Sequence, residues 1–113
     1  IKTINPGEVQ RMSAGKFVVH SEFNGAKDDI THLIQIWIEP NIKNIEPSYE
    51  QKTIPQLSKE GKLVLIASSN KTDTSVLIHA DASLYIGLFN QDQETSLSLN
   101  LNNTYAIIIV QED

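Results

Sequence analysis

The sequence predicts an all-β chain, and three observations carry that reading. Its apolar residues fall in short runs separated by turn-forming residues. The runs recur at roughly 8–12-residue intervals, the spacing of an antiparallel sandwich or barrel. Helical periodicity is nearly absent.

In order along the chain, Phe17-Val18-Val19-His20 is the first β-type run, bounded by Gly15 and by the turn signal Asn24-Gly25. Leu33-Ile34-Gln35-Ile36-Trp37-Ile38 is the second and most apolar, and Pro40, which cannot donate to a ladder, stops it. A weaker third strand spans Tyr49 to Ile54 between Pro47 and Pro55. From Ile54 to Glu60 a single helical turn fits, with Pro55 near its start and Gly61 as its stop. Leu63 to Ala67, Val76 to His79 and Leu84 to Leu88 follow as strands, with the polar loop Ser68 to Thr74 after the first. Ser96 to Leu101 alternates strictly, three leucines on one face and Ser or Asn on the other. Asn102-Asn103 supplies a turn able to adopt φ > 0, and Tyr105 to Gln111 closes the series. Three of the prolines lie between Pro40 and Pro55, which marks an extended connector between two strand groups.

With 113 residues, 40% of them hydrophobic, the chain has the length and apolar content of one ordinary domain. The absence of cysteine excludes disulfides, thiolate metal sites and thiol nucleophiles. A net charge of −5, with Arg11 the only arginine, disfavours nucleic acid as a partner. No apolar run is long enough to cross a membrane as a helix. No secretory signal pattern opens the chain, so a cytoplasmic location is expected. Both ends read as cut: the chain begins at Ile1 and finishes just after the apolar run Ile107 to Val110.

Chemistry concentrates in Val19-His20-Ser21-Glu22. Residues two apart on a strand share a face, so His20 and Glu22 would project side by side, an imidazole and a carboxylate suited to one divalent ion. The competing reading is a partly exposed pair on a solvated face. His32 and His79 lack an acidic or second His neighbour at ligand spacing and read as core or edge histidines. No G-x-S-x-G or S-x-x-K motif supports serine catalysis; Met12-Ser13-Ala14-Gly15 only superficially suggests a nucleophile turn. The dispersed glycines make no phosphate cradle. Trp37, inside an apolar run, reads as core. Asp28-Asp29 and Glu112-Asp113 read as solvated charge.

Pro6-Gly7-Glu8-Val9-Gln10-Arg11-Met12-Ser13-Ala14-Gly15, Val19-His20-Ser21-Glu22-Phe23-Asn24, Leu33-Ile34-Gln35-Ile36-Trp37-Ile38 and Pro47-Ser48-Tyr49-Glu50-Gln51 resemble, in this order, the pirin family of bicupins. Looser likeness continues around Leu65 to Ser68 and Val76 to Asp81. The resemblance implies cupin-type double-stranded β-helix (jelly-roll) strands from parts of two barrels. Residues 1–45 would be later strands of the N-terminal barrel, 46–62 the connector, and 63–113 earlier strands of the C-terminal cupin-like barrel. It also implies one divalent metal, commonly iron, with manganese, nickel or zinc as alternatives. The family holds that metal through a His-x-His pair and a later His-x-Glu pair. His20 and Glu22 match the second pair; no His-x-His occurs in this chain, so the site here is expected to be half of one.

What the resemblance implies for function takes three forms. The full-length protein would be a quercetin 2,3-dioxygenase-type oxygenase, with His20 a metal ligand and Glu22 both ligand and catalytic base. Alternatively it would be a non-catalytic, metal-dependent regulatory module that binds a protein partner. The 113 residues alone would be inactive, and would homo-oligomerise by strand exchange or associate with missing segments.

Overall fold

The computed structural model describes residues 2–13, 20–43 and 45–110. Most of the first expected strand, at Phe17 to Val19, lies outside the described residues, as do Ala14, Gly15, Gln111 and the pair Glu112-Asp113. The described residues form β1 (Glu8–Ser13), β2 (Ser48–Thr53), one helical turn α1 (Gln56–Lys59), β3 (Val64–Ser68), β4 (Val76–Leu77) and β5 (Leu84–Ile86). Among the described residues no helix is long and apolar enough to cross a membrane.

A tight turn launches β1. Pro6 brings a fixed φ to the first corner, Gly7 takes φ +83° at the second, and the Glu8 amide donates to the Asn5 carbonyl at 3.1 Å. That combination is a type II turn, which requires positive φ where Gly7 stands. β1 then pairs antiparallel with β2, from Glu8 opposite Thr53 to Ser13 opposite Ser48. The ribbon is tied by polar side chains more than by apolar ones. Gln10 Nε2 donates to the Tyr49 hydroxyl at 2.9 Å, Gln51 Nε2 to Glu8 Oε2 at 2.9 Å, and Arg11 Nη1 to Ser48 Oγ at 3.1 Å. Lys2 Nζ lies 3.5 Å from the centre of the Tyr49 ring.

Past β2 the chain makes α1 where Pro55 and Gly61 predicted it, Gly61 ending it with φ +65°. β3 pairs with β5 antiparallel, with a register shift between Leu65 and Ala67. Its pairing with β4 is parallel and short, Ala67 to Val76 and Ser68 to Leu77, not the antiparallel contact expected of neighbouring strands. Residues 69–75 connect the two, and within this connection Ser68 Oγ sits 3.0 Å from Ser75 Oγ and donates to the Asn70 carbonyl at 2.5 Å. The core beneath is small, comprising Ile54, Ala67, Val76 and Ala80 with the buried hydroxyls of Ser68 and Ser75.

Three expected strands are not found as strands. Leu33 to Ile38, Ser96 to Leu101 and the described part of Tyr105 to Gln111 carry no ladder. A ladder needs a neighbour, and no strand among the described residues lies alongside these runs. Their apolar side chains are consequently open, and Trp37, expected in the core, is 86% exposed. The Asn100–Asn103 turn does form, closed by the Asn103 amide on the Asn100 carbonyl at 3.0 Å. Positive φ in this part of the chain is taken by Asp92, not by either asparagine. The radius of gyration, 15.6 Å, exceeds the about 13 Å of a compact domain of this length, and the extents of 45 × 45 × 22 Å describe a slab.

Candidate metal centre

His20 and Glu22 stand just ahead of a loop that one residue organises. Asn24 Oδ1 accepts the Ala26 amide at 2.9 Å and the Thr31 hydroxyl at 2.7 Å, while its Nδ2 donates to the Asp29 carbonyl at 3.0 Å. This is the local hydrogen bonding that makes Asn a turn former. It folds the 24–31 segment back so that the chain after Thr31 returns toward the chain before Asn24. Gln35 is thereby brought within reach of Glu22, and its Nε2 donates to Glu22 Oε1 at 3.4 Å.

The same carboxylate oxygen lies 3.8 Å from His20 Nε2, with the two side chains 40% and 50% exposed. The pair therefore points the same way, and it faces solvent. An ion held about 2.1 Å from both atoms would want them about 3.0–3.4 Å apart for angles between 90° and 109°. The observed gap is a few tenths of an ångström wider than that, which a small χ rotation of either exposed side chain closes. Imidazole nitrogen with carboxylate oxygen is a donor set suited to a first-row divalent ion, so these two residues fit such an ion as partial ligands. Among the described residues no third His, Cys, Asp or Glu joins them.

His32 is exposed and His79 half-buried, and the His79 carbonyl accepts the Asn41 amide at 2.7 Å. Neither belongs to a group of potential ligands among the described residues. A recess of about 370 Å³ opens beside Met12, Pro47, Ser48 and Tyr49, and neither His20 nor Glu22 lines it. Sequence reasoning passed over Gln35. The sequence marks it only as the single polar residue inside Leu33-Ile34-Gln35-Ile36-Trp37-Ile38, and carries nothing that names Glu22 as its partner.

Residues 1–38 match the family model Pirin, and residues 65–111 match the model of the quercetinase C-terminal cupin domain. The chain belongs to the pirin family. Across 110 residues it is 36% identical to a protein of Zymomonas mobilis provisionally named as a quercetin 2,3-dioxygenase, an alignment covering 96% of this chain and 46% of that one. It is 38% identical over 89 residues to the quercetin 2,3-dioxygenase of Escherichia coli K12, covering 79% of this chain and 37% of the relative. The chain thus spans less than half the length of these relatives. No solved structure matches it significantly. The strand-rich architecture of this pirin-family chain, with a single helical turn among its described residues, is that of a cupin β-fold.

Proposed function

We propose that His20 and Glu22 are two ligands of the divalent metal in a quercetin 2,3-dioxygenase-type protein, and that Glu22 is also its base. The 3.8 Å approach of His20 Nε2 to Glu22 Oε1 is the observation that carries this reading. In it, residues 1–45 belong to later strands of one cupin barrel, 46–62 join the barrels, and 63–113 belong to earlier strands of the second. A bound ion, iron first and manganese, nickel or zinc as alternatives, would supply Lewis acidity toward the flavonol oxygens. His20 holds that ion through Nε2. Glu22, with up to four lone-pair sites on its two oxygens, has capacity to hold it and still accept the proton of the flavonol 3-hydroxyl. These two residues are half of a family ligand set, since the chain contains no His-x-His.

Oxygen uptake with quercetin by the full-length protein tests the base. Glu22→Gln removes the proton acceptor and is expected to cut turnover by about a hundredfold or more; unchanged turnover rejects the role. Metal analysis tests the ligand, because His20→Ala should strip the ion. A protein that keeps its metal, consumes no oxygen on flavonols and captures a stoichiometric protein partner is instead the regulatory module.

A further inference from the structure

Three polar head groups converge at the candidate centre, and the metal reading uses two of them. The third, the Gln35 amide, arrives from a different stretch of chain, 13 positions from Glu22, because Asn24 folds the intervening loop back. Gln35 donates to Oε1 of Glu22, the same oxygen that faces His20 Nε2. A neutral donor is the suitable type at this place. It fixes the direction of the carboxylate without cancelling its charge, whereas a Lys or Arg would compete with a cation. One lone pair of Oε1 then goes to the amide, and the remaining carboxylate lone pairs stay open.

We infer that Gln35 is a positioning residue that aims the Glu22 carboxylate at the space beside His20. The inference rests on the metal reading of His20 and Glu22 and goes beyond it, since it gives a role to a residue outside that pair, acting through Glu22. Hydrogen-bond partners of metal ligands typically carry about ten- to a hundredfold in affinity. A contact of 3.4 Å that is open to water belongs at the lower end.

The test is titration of the full-length protein with Co²⁺ alone, reading both the dissociation constant and the visible absorption of the bound ion. Gln35→Met keeps the side-chain length and removes the donor; Gln35→Ala removes the side chain altogether. Both are expected to weaken Co²⁺ binding by about tenfold and to alter the shape of the visible band. The metal-free unfolding midpoint should stay where it is, because the contact is exposed. Wild-type affinity and spectrum in either variant overturns the inference. His20→Ala, run in parallel, separates the two levels. If it leaves Co²⁺ binding intact, the metal reading itself fails; if it abolishes binding while the Gln35 variants bind normally, only the positioning role is lost.

Discussion

A methyl group on Gly87 would sit 2.6 Å from the Lys62 carbonyl oxygen and 2.6 Å from Phe89 Cε2. The Phe89 ring is a side chain and can turn away, but the Lys62 carbonyl is backbone and cannot, so the clash remains. Gly87→Ala should cost about 1–3 kcal/mol, the usual range for forcing extra volume into a filled site, read as a lower midpoint in urea. At this scale the sequence was informative where one residue type has one physical use. Pro55 with Gly61 bracket the helical turn their chemistry implies, and a turn closes at Asn100–Asn103 as expected, though without positive φ at either Asn102 or Asn103. The partner of Glu22 was not legible, because it depends on how Asn24 folds a loop, and no spacing rule carries that information. His20 and Glu22 do approach to 3.8 Å, but without the strand from which the sequence reading expected them to project side by side.

Among the elements, one tie between the β1–β2 ribbon and the β3–β4–β5 sheet runs through a carboxylate. Glu50, on β2, accepts the backbone amide of Leu77, on β4, at 2.9 Å, and its side chain is only 15% exposed. That amide, helped by Lys71 at 3.6 Å, Arg11 at 3.9 Å and the charge of Lys52, holds the Glu50 carboxyl below its ordinary value. A carboxylate whose folded pKa is depressed adds stability above its unfolded pKa and loses that contribution as pH falls through the folded pKa. Glu50→Gln should therefore destabilise the fold by about 1 kcal/mol at neutral pH. The gap from wild type should close in acid, below the usual carboxylate range. Urea melts of both proteins at pH 7 and pH 3 check this; a gap that persists in acid rejects the charge as its origin. β2 to β5 were legible as apolar or β-prone runs between turn residues. β1 was not, because Val9 and Met12 are its only apolar members and its ribbon is held by hydrogen bonds between polar side chains.

For the whole molecule, the deciding fact is how much apolar chain remains uncovered. Ile34, Ile36 and Trp37 on one stretch, and Leu101, Ile107, Ile108 and Ile109 on another, are each more than half exposed. Both stretches have the composition of strands and lack a ladder. Exposed apolar patches and unpaired strand-forming segments are what a second copy covers best. The 113-residue chain in dilute buffer should therefore scatter light as a dimer or larger, and a clean monomer rejects this. The all-β class was visible in the sequence because period and turn chemistry are local. Which runs pair was not, since a ladder depends on the neighbour and not on the run itself. Trp37, 86% exposed and the single tryptophan, turns this into an optical signal. Its indole is open to water, so the fluorescence of the isolated chain should be red-shifted and open to quenching by iodide. Any association that covers its stretch moves the emission to the blue and shields it, which makes the protein its own dye for dilution experiments.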